Sequence, residues 1–131
     1  MRHHAADRVV WNPAPEENFT GRVWFGPLAP TTAGGLSTLA VLFEPGAHTD
    51  WHRHPEGQVL YVTEGAGLVA NEAGDRVTIG AGDVVYAPPG ELHWHGAAPA
   101  APMVHLSLTT GGATEWIGRK VSDQEYLGSG S

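Results

Sequence analysis

The chain reads as an all-β domain, a sandwich or small barrel of short strands, and three observations predict it. About ten apolar or alternating stretches recur at intervals of roughly 8–12 residues. Eighteen glycines and ten prolines separate them without a fixed period, which excludes collagen-like and low-complexity readings. Helix signal is confined to Ser122-Asp123-Gln124-Glu125, where a serine cap and a glutamate three residues on can answer each other. With 131 residues, 41% of them hydrophobic, the chain has the material for one domain with a real core.

In order along the chain, residues 1–18 are polar and broken by Pro13 and Pro15, an N-terminal arm with a short strand at Val9–Trp11. Phe19 to Phe25 alternates and reads as a strand, followed by Gly26-Pro27 and a loop from Pro30 through Gly35. Thr38–Phe43 is apolar on both faces after Thr38, as in a strand buried on both sides. Glu44-Pro45-Gly46 turns the chain; Trp51–His54 is a short strand, stopped by Pro55-Glu56-Gly57. Gln58–Thr63 and Leu68–Ala70 follow, with Gly65-Ala66-Gly67 read as a separator. Asn71 to Asp75 is a hairpin turn before Arg76–Ile79, and Gly80-Ala81-Gly82-Asp83 turns again before Val84–Ala87. Pro88-Pro89-Gly90 closes that strand, and His93–His95, Met103–Leu108 and Thr114–Ile117 complete the set. The barrel domain then covers 19–127, with 128–131 as a flexible tail.

Seven Lys+Arg against fourteen Asp+Glu give a net charge of −7, with Lys120 the sole lysine. Such a surface repels a phosphate backbone and anionic membrane, so nucleic-acid and membrane partners are not expected. No apolar stretch approaches the roughly 20 residues that span a bilayer. The start Met1-Arg2-His3-His4-Ala5-Ala6-Asp7 lacks a signal-like apolar run, and the chain has no cysteine. A cytoplasmic protein acting on a small molecule is the expectation.

Six of the eight histidines lie between His48 and His105. On a strand, His52 and His54 share a face while Trp51 and Arg53 share the other. Two imidazoles side by side are costly to bury without partners, and a divalent metal is the usual reason to put them there. Gln58, just past the Pro55-Glu56-Gly57 break, has an amide oxygen placed to be a third ligand or a supporting donor. His93 follows a rigid turn and His95 shares its face. His105 begins a polar stripe with Ser107 and Thr109 that faces either water or a barrel cavity. Any one of these alone is an ordinary histidine; two alternating pairs, an amide and another histidine in short turn-bounded strands point to a metal site. His48 sits at its rim, and His3-His4, in the polar arm, is given no role.

These residues resemble the cupin superfamily, small jelly-roll β-barrels. Its first motif reads here as Gly46, five residues, His52-Arg53-His54, three residues, Gln58, six residues, Gly65. Its second reads Gly82, five residues, Pro88-Pro89-Gly90, two residues, His93. The chain departs from the family's usual Glu at Gln58 and from its usual closing Asn at Ala97. From Phe19-Thr20-Gly21 to Asp123-Gln124-Glu125-Tyr126 the chain resembles the small bacterial cupins that include manganese-dependent, (R)-selective hydroxynitrile lyases, which carry Gln as fourth ligand. The resemblance implies a single-domain cupin barrel ending in a short helical turn. It further implies His52, His54, Gln58 and His93 as metal ligands, His95 and His105 as candidate bases, and a homodimer or homotetramer. Leu39 and Val41 on one face of the first buried strand, with Thr109 opposite, are the implied substrate pocket.

Three imidazoles and a carboxamide leave a divalent ion its full positive charge, where a glutamate would remove one unit. That favours Lewis-acid and proton chemistry over oxygen activation. Manganese is the metal the resemblance implies; nitrogen-rich sites follow the general divalent affinity order, so the bound metal can reflect supply, and iron, zinc or nickel are the alternatives. The expected activity is cyanohydrin cleavage and synthesis. The alternatives are a non-haem dioxygenase acting on an enol or alkene, and a cyclase, isomerase or non-catalytic cupin of a biosynthetic pathway.

Overall fold

The computed structural model describes Met1, residues 3–28 and residues 35–128. Among them are twelve strands: β1 (Asn12–Pro13), β2 (Phe19–Thr20), β3 (Val23–Pro27), β4 (Ser37–Phe43), β5 (His48–Thr49), β6 (His52–Arg53), β7 (Gln58–Asn71), β8 (Arg76–Gly80), β9 (Val84–Ala87), β10 (His93–Ala97), β11 (Met103–Thr109) and β12 (Glu115–Trp116). One helix, α1 (Asp123–Leu127), follows. The pairings are antiparallel and join the strands into one surface that curls on itself as a jelly roll. Among the described residues no helix is long and apolar enough to cross a membrane.

Strand β7 makes the curl. Its first half pairs with β11 and β9, and its second half with β10 and β8, so one strand belongs to two facing layers. The change of partner falls at Gly65, which has φ +79°. A Cβ there would sit 1.9 Å from the carbonyl oxygen of Pro102. Gly65-Ala66-Gly67 is therefore not a separator between two strands, as its composition predicts, but the crossing point of one strand. Glycine is needed because β11 passes too close for a side chain. The pairing also slips between Val104 and His105, a bulge that adds to the local bend.

The other departures are local. Val9–Trp11 is not a strand: a 3₁₀ turn at Ala6–Arg8 precedes it, and the strand falls at Asn12–Pro13, against Phe25 and Trp24. Phe19 to Phe25 is two strands, broken at Gly21, whose φ of +79° turns the chain from β5 to β4 as partners. The Trp51–His54 strand keeps only His52–Arg53. Of the Pro30–Gly35 loop all but Gly35, and of the 128–131 tail all but Gly128, lie outside the described residues. The Ser122 signal is realised in full: its side chain accepts from the Glu125 N–H, and Glu125 answers the Ser122 N–H.

Between the layers lies a core of Phe19, Val23, Val41, Phe43, Val62, Ile79 and Met103. Phe43, Val62 and Met103 have no exposed surface. Burying a side chain such as Phe43 contributes roughly 2–3 kcal/mol. A second cluster of Trp51, Leu68, Trp94, Val121 and Tyr126 lets α1 cover one end of the barrel, pinned by the Tyr126 hydroxyl donating to the Ala97 carbonyl at 2.6 Å.

The Gly65 crossing is testable. Gly65→Ala is expected to cost more than about 2 kcal/mol in a denaturant titration, through backbone strain and the clash with Pro102. Gly80→Ala, with its nearest neighbour 3.8 Å away, is expected to change stability by less than about 1 kcal/mol.

Candidate metal centre

The barrel brings six histidines from the middle of the chain into its interior, each less than a tenth exposed. His52 on β6 and His93 on β10 are direct cross-strand partners, with ring centroids 4.4 Å apart. His95, two residues along β10, lies on the same face, its ring 5.2 Å from that of His52. His52, His93 and His95 each present a ring nitrogen, and these three atoms lie within 4.8 Å of one another. His54, in the turn after β6, stands just outside that trio, 5.2 Å from the His52 ring and 5.8 Å from the His93 ring. Gln58, the first residue of β7, brings Oε1 to 3.0 Å from His93 Nε2. His105 on β11 stands behind His95, Nε2 to Nδ1 at 3.1 Å.

The ring hydrogens are placed by backbone carbonyls. His52 Nδ1–H donates to the Asp50 carbonyl and His93 Nδ1–H to the Glu91 carbonyl, both at 2.9 Å. A carbonyl only accepts, so both neutral rings carry their hydrogen on Nδ1 and a lone pair on Nε2. The Asp50 position is itself held: its buried carboxylate pairs with Lys120 at 3.1 Å, and Lys120 also donates to the carbonyls of Glu17 and Phe19. The sole lysine thus ties the arm, the site strand and the C-terminal segment together.

Burial lowers the basicity of all six rings. It brings His105 to about 4, and brings His54 to about 4 with help from the charge of His93. His52 and His95 fall well below the ordinary value, first through burial and then through neighbouring imidazoles. His93 is also lowered by burial, against an opposing bond to the Glu91 carbonyl. The rings are therefore neutral near pH 7, the form that ligates metals.

The donor set fits a divalent metal. Among the described residues, His54 Nε2 and His95 Nε2 are buried without a hydrogen-bond partner. The lone pair of His93 Nε2 faces the amide oxygen of Gln58 with no hydrogen between them, and a shared cation is what makes that approach favourable.

Beside these donors lies a cavity of about 150 Å³. Leu39, Val41 and Phe43 on β4 line it, with Phe25, Phe19 and Trp116 on the apolar side. His52, His54, Gln58, His95, His105, Ser107 and Thr109 line the polar side. The stripe on β11 therefore faces the cavity rather than water. The walls from Phe19, Phe25 and Trp116 were not legible in the sequence, because their strands are distant and no local pattern marks their partner. His48 does not reach the cavity: it is buried and stacked on Tyr126, ring centroids 4.4 Å apart.

A barrel with a buried three-histidine centre is the architecture of a metal-binding cupin. The Cupin domain family model matches residues 39–109, more than half of the chain, and the chain belongs to that family. It is 46% identical over 117 residues to an (R)-mandelonitrile lyase of Granulicella tundricola, covering 86% of this chain and 88% of that one. The crystal structure of a cupin-like protein from Thermotoga maritima matches with a TM-score of 0.84 and 34% identity, over 100% of this chain and 98% of the other. A gentisate 1,2 dioxygenase of Aquipseudomonas alcaligenes is 33% identical over 65 residues, 50% of this chain and 19% of the dioxygenase.

Because the buried rings resist protonation, metal-free protein is expected to lose stability in acid. Above about 6.5 the rings are neutral in both folded and unfolded chains, and stability is full. As the pH falls from there to about 4, the unfolded chain takes up protons that the folded chain refuses. His105 alone accounts for a loss on the order of 3 kcal/mol. A melting temperature of the metal-free protein that stays flat across this window contradicts the assignment.

Proposed function

We propose that this cupin is a metal-dependent hydroxynitrile lyase, cleaving a cyanohydrin to an aldehyde and hydrogen cyanide and running the reverse addition. The observation that carries the reading is the pairing of two kinds of nitrogen around one cavity. His52 and His93 bring ring nitrogens within 4.8 Å of one of His95, and His95 in turn shares a hydrogen bond with His105, so a neutral imidazole pair abuts the lone pairs of the candidate ligands. The 46% identity to an (R)-mandelonitrile lyase over most of both chains supports it.

In this reading His52, His54, Gln58 and His93 hold the metal, manganese in the first instance, and His95 stands closest to them. When bound, a divalent metal there supplies Lewis acidity to an oxygen and a positive charge that favours a nearby anion. The His95–His105 pair accepts the proton of the substrate hydroxyl. The carbonyl forms as the bond to the nitrile carbon breaks, and the electron pair leaves with cyanide. The same proton then passes to cyanide, so that hydrogen cyanide departs and the pair is neutral again. An imidazole with a value near 4 is a weak base in the resting site, but the anion produced beside it favours the protonated ring. Leu39, Val41 and the neighbouring aromatic rings hold the substrate's organic group and exclude water. A cavity of about 150 Å³ is the size that accepts a benzene ring.

A second reading, a non-haem dioxygenase, has the local likeness to the gentisate dioxygenase behind it. It is the weaker one, because an all-neutral donor set gives a higher oxidation state of iron no anionic ligand.

Assay with (R)- and (S)-mandelonitrile decides between them. Manganese-loaded protein is expected to release benzaldehyde, and His105→Ala to slow the release by about 10²–10⁴-fold. Benzaldehyde no faster than from a His54→Ala control refutes the lyase; oxygen uptake by the iron-loaded form, with an enolic substrate, supports the dioxygenase.

A further inference from the structure

The carboxamide of Gln58 has two ends of nearly the same shape and opposite chemistry: the oxygen carries lone pairs, the nitrogen only N–H groups. Its oxygen faces His93 Nε2 at 3.0 Å, where the ring hydrogen has been drawn to the far nitrogen by the Glu91 carbonyl. That arrangement suits a cation. Without one, the amide gains by turning over and donating to the ring.

The orientation with the oxygen toward His93 leaves the amide N–H at the other end in need of an acceptor. Gln58 Nε2 donates to Ser107 Oγ at 2.8 Å. Gln58 is only 4% exposed, so water is a poor substitute for that acceptor. Ser107 reaches it because β11 pairs with the start of β7, with Ser107 opposite Leu60 and Thr109 opposite Gln58.

We propose that Ser107 is a positioning residue for the metal centre: by accepting the Gln58 amide N–H, it satisfies the amide in the orientation that turns its oxygen toward the histidine lone pairs. A hydroxyl can donate or accept, so Ser107 alone does not choose the orientation. It supplies the acceptor that the ligating orientation requires, and it can do so only while its own hydrogen points elsewhere. That hydrogen is then free to donate into the cavity Ser107 lines. The inference rests on Gln58 belonging to the metal centre, as in the proposed function, but not on the reaction performed there.

Cobalt(II) titration of metal-stripped protein tests it, read by affinity and by the visible absorption band. Ser107→Thr and Ser107→Val are nearly the same size and differ in the hydroxyl. The threonine variant is expected to bind cobalt with the wild-type spectrum and close to wild-type affinity. The valine variant is expected to bind about 10–100-fold more weakly, with a shifted band from the altered oxygen donor. Ser107→Ala, which introduces no bulk, is read the same way should the valine variant not fold. Wild-type affinity and spectrum without the hydroxyl overturn the proposal, as does a threonine variant as weak as valine. A wild-type protein that takes up no cobalt, manganese or zinc overturns the metal centre itself, and with it this role for Ser107.

Discussion

The structure depends on keeping several imidazoles neutral, close together and deprived of water. Imidazolium rings at these separations repel, and the interior offers little solvent to screen them. Burial resolves the conflict by making protonation unfavourable, and the carbonyls of Asp50 and Glu91 decide which nitrogen of His52 and of His93 keeps its hydrogen. What remains is a set of lone pairs aimed inward. Phe43 closes the other side of His95 and His105, its ring 5.8 and 5.3 Å from theirs. A polar group in that position would offer these rings a hydrogen bond that competes with the one they share.

The fold supplies this arrangement through strands that serve two layers. β7 starts at the centre with Gln58, crosses at Gly65, and then carries β10 with His93 and His95. β11 runs along the first half of β7 and puts His105, Ser107 and Thr109 on the cavity wall. The ligand region is thus framed by long-range pairings, not by one loop. Rigidity at the ends comes from the turn at His54 to Gly57 and from the Lys120–Asp50 contact under His52.

Much of the strand pattern was legible, because alternation and glycine–proline punctuation report local geometry. Thr38–Phe43 and Val84–Ala87 fall within a residue of β4 and β9 for that reason. Gly65-Ala66-Gly67 misled for an equally physical reason: glycine marks both a chain turn and a close approach, and only the position of β11 distinguishes them. At the site, the His-x-His spacings identified residues that share faces. They could not say that His95 would stand nearer than His54 to the His52–His93 pair, since that depends on how β6 ends. Nor could alternation decide whether Ser107 meets water or Gln58. Trp116 against His52, 4.7 Å between rings, joins segments that carry no sign of each other.

Charge gives the arrangement its chemical direction. The chain carries a net −7, yet among the described residues lining the cavity there is no carboxylate. The acidic surface raises the local concentration of cations, while the interior donors that would hold one are neutral. A divalent ion bound by such donors keeps its charge in a poorly screened space, where its attraction for a small anion far exceeds that in water. A carboxylate at position 58 would cancel half of that charge and remove the need for an acceptor at Ser107. The neutral amide at position 58 therefore joins two features: donors that leave a bound cation its full charge, and a hydroxyl 49 residues away on the neighbouring strand that accepts the N–H this amide carries and a carboxylate would lack.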